Sequence, residues 1–473
     1  MTVPVPDRAA ARSLREALDR VGYSEDGVVE LLGDEAYSGG REDTPLHERR
    51  LDGSPLATAV RLLFLGLPAS VREAERALGT EGVRALEAAG LAEVGAEVVP
   101  GARVTPVRDV LIASDGYSRA AEDPPDYVAP YSPTSRLCDL LTPRPRVRRA
   151  LDVGTGNGVQ AVFAAQHSRS VVATDVNPRA LAYAGLNAGL NGLDNLEWRR
   201  GSLFEPAGDE RFDLVVCNAP FVVSPERRWA YRDSGLRGDA VSERVVSEAA
   251  AHLEEGGYAT LLVSWLARDE DSAAERPLAW VEDIGCDAWV LAIYEADPLD
   301  HAAGWNSHLA GDAAVFARSL DEWSEYLREL DAGWIVEGAV LLHRRSARRN
   351  TVRFDSVDPE DVDVADGQVR RAFAARARLA ELRRDDLLDE RPRVRSPLRI
   401  EEELGRRGAT VVLGDGTLST VDTTRDAVEV LRRLDGSTPL RRALHAAGLA
   451  GTQRRRAVAL VRELLDLGAL ELR

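Results

Sequence analysis

Between residues 147 and 344, short apolar runs alternate with stretches whose apolar positions recur every three or four residues. The runs predict strands at 149–153, 170–174, 196–199, 212–217, 258–264, 288–294 and 334–343, and the periodic stretches predict helices at 158–167, 178–191, 239–253, 277–284 and 320–330. Regular strand–helix alternation is the mark of an α/β domain whose largely parallel sheet is covered on both faces.

The flanks have other rhythms. Residues 1–113 show helical periodicity at 8–21, 55–65, 71–78 and 80–89, with Thr80 as an N-cap, and then an alternating stretch over 91–110 with turn marks at Gly95 and Pro100-Gly101. Short helices followed by a hairpin predict a helical, winged-helix-like domain. Its candidate recognition helix offers Glu81 and Glu87 against Arg84, a poor charge for reading DNA. Proline-rich residues 114–147 lead into the core and end in a short helix near 134–141. Residues 346–397 read as a charged connector with a helix over 368–388. Residues 398–473 predict a hairpin at 409–421, helices at 424–434, 438–447 and 452–465 and a short strand, a second winged-helix-like domain. The remaining block, 148–345, is the central domain.

Two features of composition narrow the chemistry. The 473 residues carry 60 basic against 78 acidic groups, a net charge of -18, which opposes sequence-independent attraction to nucleic acid. Lysine is absent, so Schiff-base catalysis and a phosphate-loop lysine are excluded. Cys138, Cys217 and Cys286 lie far apart with no C-x-x-C pair, and His301 and His308 have no companion ligands, so no metal site is expected. No apolar run approaches the roughly 18 residues of a membrane span, and a cytoplasmic setting without membrane attachment is expected.

Two stretches carry the chemistry. In the first, Asp152, Gly154, Thr155, Gly156, Asn157 and Gly158 sit where a strand turns into a helix. Glycines permit left-handed backbone and close ligand approach, and the helix start presents unpaired N–H groups. The spacing G-x-G-x-G departs from the dinucleotide fingerprint G-x-G-x-x-G. Asp175, 21 positions after Gly154, ends the second strand where a carboxylate can accept both hydroxyls of a ribose, with Asn177 beside it. Ser202 and Leu203 follow the third strand, where a polar and an apolar residue can border a base. The second stretch, Asn218-Ala219-Pro220-Phe221, ends the fourth strand next to the first. An amide oxygen and a main-chain carbonyl there can hold a planar amide or amino nitrogen while an aromatic ring stacks on it, and aimed acceptors stabilise the charge that develops on the nitrogen.

With these residues in view, the span from about 126 to 344 resembles the class I S-adenosylmethionine-dependent methyltransferases, closest to the release-factor glutamine methyltransferases and their relatives that methylate adenine or guanine amino groups. The family's glycine-rich motif maps to Asp152–Gly158, its ribose-binding acid to Asp175 and its (N/D)-P-P-(Y/F/W) motif to Asn218–Phe221, with Ala219 in place of the first proline. The resemblance implies a Rossmann-like, seven-stranded core and S-adenosylmethionine as cofactor. It also implies methylation of a planar nitrogen, first that of a glutamine in a protein partner such as a release factor. An amino group of RNA or DNA is an alternative, requiring the arginines of 344–353 and 454–462 to face the site. A small-molecule acceptor, or a cofactor-binding scaffold without catalysis, are the others. The run 226–246, with Arg227, Arg228, Trp229, Tyr231 and Arg232, is expected to cover the substrate.

Overall fold

A computed structural model describes residues 4–37, 40–118, 123–218, 220–226, 235–347, 349–383, 386–402, 408–417 and 419–472. Its centre is a sheet of β1 (Val147–Val153), β2 (Ser168–Asp175), β3 (Leu196–Arg200), β4 (Phe212–Cys217), β5 (Leu253–Ala267), β6 (Cys286–Ala296), β7 (Trp334–Arg344) and β8 (Val352–Ser356). The spatial order is β8-β6-β7-β5-β4-β1-β2-β3. Strands β3, β2, β1, β4 and β5 run parallel, while β7 is antiparallel to both β5 and β6. Because β1 and β4 are neighbours whose onward connections leave in opposite directions, a crevice opens beyond their carboxyl ends, the usual ligand position in open α/β sheets.

The central strands read as unbroken apolar runs because helices cover both faces. Ala150, Leu151, Val153, Val171, Val172, Ala173 and Leu214 to Cys217 are all buried. The helices that bear on the crevice are α1 (Val159–Ala165), α2 (Pro178–Leu190) and α3 (Ala240–His252). The β6–β7 connection adds α4 (Pro298–Asn306) and α5 (Ala313–Glu329).

The seven expected strands are extended by an eighth. Strand β8 lies within the stretch that reads as a charged connector, and it pairs in parallel with β6. Its charges are used locally: Arg353 bonds both oxygens of Asp355 and reaches Glu463 and Asp466 of α7 (Gly451–Asp466). Helix α6 (Asp366–Glu381) stops well before residue 388 and is the hinge of this packing. Its buried Arg376 stands 4.4 Å from the Trp289 ring centroid and donates Nε to the Asp466 carbonyl at 2.9 Å. One hydrophobic cluster therefore runs from Trp289 and Leu291 through Phe373 to Leu460 and Leu464, without a break at the start of the C-terminal module.

In the N-terminal module, the helix Val71–Ala88 bends at Gly79 (φ 75°) and is followed by paired strands Ala92–Val94 and Glu97–Pro100. A further hairpin, Arg103–Val107 with Val110–Ser114, docks on α2. Asn187 accepts from the Ala113 N–H (2.7 Å) and donates to the Ala113 carbonyl (2.8 Å), and Asn191 does the same at Leu111 (2.9 and 2.8 Å). Residues four apart on a helix rise about 6 Å, close to the roughly 6.8 Å between alternate strand residues, so the two amides complete the free strand edge.

Just beyond, the buried Asp115 takes a two-pronged ion pair from Arg179 and a 3.0 Å bond from the Tyr183 hydroxyl. Removing Asp115 strips the buried Arg179 of its two-pronged carboxylate partner. Asp115→Ala is expected to cost about 3–5 kcal/mol of unfolding free energy, read as a lowered urea midpoint. Among the described residues no helix is long and apolar enough to cross a membrane.

Candidate functional site

A cavity of about 620 Å³ occupies the crevice at the carboxyl ends of β1, β2 and β4, a size in the usual range for small-molecule sites. Asp152, Gly154, Thr155, Gly156, Asn157, Asp175, Asn177, Ser202, Leu203, Asn218, Pro220 and Phe221 all line it. Gly158 lies behind this wall and Ala219 lies outside the described residues, as do 227–234 of the run expected over the substrate.

The β1–α1 turn is built by glycines with different tasks. Gly156 (φ 54°) has nothing within 4 Å of where a Cβ would stand, so the bare backbone faces open cavity. At Gly158 (φ 84°) a Cβ would come 2.7 Å from that of Ala184, and its absence lets α1 and α2 touch. The turn is tied to β2: the Thr155 N–H bonds the Thr174 carbonyl (2.9 Å) and the Gly156 N–H bonds Asp175 Oδ2 (2.8 Å). Asp175 Oδ1 accepts from the Asn177 N–H at 2.8 Å, and the Asp175 carbonyl receives the Gly201 N–H at 3.0 Å. Burial raises the Asp175 carboxyl, opposed by the N–H groups of Asn177, Gly156 and Val176.

Leu203 takes a left-handed backbone (φ 48°) and its carbonyl accepts from Thr174 Oγ1 at 2.9 Å, which turns the β3 loop toward the cavity.

Burial pushes the Asp152 carboxyl from the ordinary 3.8 up to about 7, opposed by the Thr155 hydroxyl that donates to it at 2.5 Å. In the ligand-free protein the folded state keeps this proton until about pH 7 while the unfolded chain releases it near pH 3.8. Its stabilisation is therefore full below the lower value and lost as pH rises through the higher one. Asp152→Asn is expected to remove that slope, on the order of a few kcal/mol, in urea midpoints compared between mildly acidic and mildly alkaline buffer.

On the other side of the cavity, Asn218 is half-buried and Phe221 is almost fully buried. The segment behind them is pinned twice. Ser264 Oγ of β5 donates to the Phe221 carbonyl, and His301 Nε2 of α4 lies 3.1 Å from the Val223 carbonyl. Burial lowers His301 to about 4, so its ring is neutral and serves packing. No group of three or more candidate metal ligands occurs among the described residues.

Several lining residues escape sequence reasoning. The lead-in segment forms a wall from Tyr127 to Ser135, held by Asn157 to the Ala129 carbonyl (3.0 Å), Asn177 to the Asp126 carbonyl (2.9 Å) and Gln160 to the Ser135 carbonyl (2.8 Å). Its one advance signal is the Pro-Tyr-Ser-Pro run just before a helix start. Trp305, from α4, also lines the cavity and stands in no motif, whereas Leu236, Val241 and Arg244 line it from the described part of the run expected over the substrate.

The arginine clusters do not gather here. Arg344 bonds the Ala250 carbonyl, Arg345 pairs with Asp287, and Arg353 is held by Asp355, Glu463 and Asp466. Arg454, Arg455, Arg456 and Arg462 are exposed on α7, and none of these arginines lines the cavity.

Residues 133–270 match the family model described as a methyltransferase small domain, and residues 20–104 match one described as a domain of unknown function (DUF7059). A ribosomal protein uL3 glutamine methyltransferase from Bradyrhizobium diazoefficiens is 34% identical over 165 residues, covering 32% of this chain and 52% of the relative. Release factor glutamine methyltransferases from Xylella fastidiosa and Geobacter sulfurreducens are 33% and 35% identical over 143 and 133 residues, covering 28% and 25% of this chain and 50% and 46% of the relatives. The chain thus spans about half the length of the curated relatives it matches.

Proposed function

We propose that the chain, whose residues 133–270 match the methyltransferase small-domain model, is an S-adenosylmethionine-dependent N-methyltransferase acting on the side-chain amide of a glutamine in a partner protein. The observation that carries this reading is the single cavity joining Asp175 and the glycine turn to Asn218 and Phe221. The lining suits the cofactor: bare backbone at Gly156, a carboxylate at the end of β2, and two acids, Asp152 and Asp175, near a ligand of net positive charge.

When bound, S-adenosylmethionine supplies an electrophilic methyl group on a sulfonium. Asp175 would accept the ribose hydroxyls, while Ser202 and Leu203 would border the base. Asn218 Oδ1 would accept from the target N–H, and the Ala219 carbonyl, outside the described residues, is assigned the second N–H. Two aimed acceptors hold the amide nitrogen and favour the loss of planarity that frees its lone pair. Phe221 flanks the flat group, and the lead-in wall over 127–135 bounds one side of the cavity. After transfer the extra proton leaves the nitrogen for solvent, so no strong base is required.

The protein acceptor is favoured over a base in RNA or DNA by the names of the relatives and by the pairing of Arg345 and Arg353 with carboxylates away from the cavity. Transfer of tritiated methyl groups into cell lysate tests the choice. Label that stays in protein after RNase treatment is the expected result; label lost with the RNA would replace this reading by nucleic-acid methylation. A full-length protein that binds no S-adenosylmethionine by calorimetry would end the methyltransferase reading altogether.

A further inference from the structure

Helix α4 belongs to the β6–β7 connection, yet it reaches the acceptor end of the cavity. His301 and Trp305 are one turn apart and therefore share a face. His301 meets the Val223 carbonyl behind the Asn218–Phe221 turn, and Trp305 lines the cavity itself. The indole is held by a 2.6 Å bond from Nε1 to Glu337 Oε1.

Glu337 sits on β7 directly opposite Ser264 of β5 in the antiparallel register. Opposed residues of such a pair project to the same face. One rung of the sheet therefore fixes two aromatic residues: Ser264 holds the Phe221 carbonyl and Glu337 holds the Trp305 ring. The Glu337 side chain is only 15% exposed, and the oxygen that takes the indole N–H also stands 3.6 Å from His301 Nδ1, so the carboxyl faces both α4 residues. Its oxygen serves as a fixed acceptor that sets the plane of the indole.

We propose that Trp305 is a specificity-determining residue for the acceptor, forming with Phe221 an aromatic wall for a flat, unbranched amide, and that Glu337 is its positioning residue. This rests on the glutamine-methylating reading above. A broad ring lining the same cavity as Asn218 accommodates a planar amide on a slender methylene stem. Branched or bulky acceptors would meet the indole edge.

The test uses the full-length chain and the variants Trp305→Ala, Trp305→Phe, Glu337→Ala and Glu337→Gln. Initial rates of tritiated-methyl transfer are measured against serial dilutions of RNase-treated lysate, alongside calorimetry with S-adenosylmethionine. Trp305→Ala is expected to raise the half-saturating lysate concentration about tenfold, with S-adenosylmethionine affinity within about twofold of wild type. Trp305→Phe, which keeps a ring, should lie between them. Glu337→Ala should behave like Trp305→Ala, whereas Glu337→Gln, which retains an acceptor oxygen, should restore wild-type half-saturation. Unchanged half-saturation in Trp305→Ala overturns the inference and leaves the methyltransferase reading standing. Loss of S-adenosylmethionine binding in both Trp305 variants also overturns it, making the residue one of packing. Wild type that binds no S-adenosylmethionine, or that binds it and labels no protein, defeats both readings.

Discussion

Asp175→Ala is expected to weaken S-adenosylmethionine binding by about 100- to 10,000-fold, measured by calorimetry on the purified chain. The carboxylate is assigned two ribose hydroxyls, and hydrogen bonds to a charged group are worth about 1.5–3 kcal/mol each. The loss has a second origin in the ligand-free architecture. Asp175 already accepts the N–H groups of Gly156 and Asn177, so its removal frees the glycine turn from the end of β2. Asp175→Asn separates the two effects. It keeps one carbonyl oxygen for the turn but not the charge, and an affinity between wild type and alanine is expected. Wild-type affinity in Asp175→Ala would remove this residue from the cofactor site.

Asn218→Ala is expected to act on the other half of the reaction, lowering kcat about 100- to 1000-fold while S-adenosylmethionine affinity stays within about twofold. The magnitude follows from deleting one aimed group that stabilises developing charge, about 2.7–4 kcal/mol in comparable cases. Asn218 follows β4, whereas the turn assigned to the cofactor follows β1, so the substitution leaves the Gly156–Asp175–Asn177 bonds in place. Single-turnover label transfer is the measurement of choice, because it reports the chemical step without product release. A variant with full kcat would place the acceptor elsewhere.

The parts of the molecule legible in the sequence are those where one local rule acts alone. The β1–α1 turn announced itself because a tight turn at an open cavity tolerates only glycine at Gly156 and Gly158. Strands β1, β2 and β4 were legible because burial on both faces demands continuous apolar residues. Where two rules compete, the signal fades. Strand β8 is half-exposed at the sheet edge, and its Arg353 and Asp355 look like a solvated connector because the further partners of Arg353, Glu463 and Asp466, lie more than a hundred residues away and Asp355 accepts from the distant Trp289 indole. Trp305 lies in a connection with no motif, and its role depends on a carboxylate brought near by the β5–β7 register. The lead-in wall is held by side-chain bonds to main-chain carbonyls, a pattern indifferent to which residue supplies the carbonyl.

The docking of the Arg103–Ser114 hairpin on α2 has a consequence for cooperativity. Helix α2 begins three residues after Asp175; its Asn187 and the Asn191 that caps it bond the hairpin of the N-terminal module, and its Arg179 and Tyr183 bond Asp115 just beyond that hairpin. Its apolar face, Ala180, Tyr183, Leu186 and Leu190, belongs to that module's core rather than to the sheet's. The floor of the cavity and the N-terminal module therefore share one helix as a common wall. In hydrogen exchange their amides should open together as one unit, and ligand bound at Asp175 should slow exchange at Leu111 and Ala113 as well.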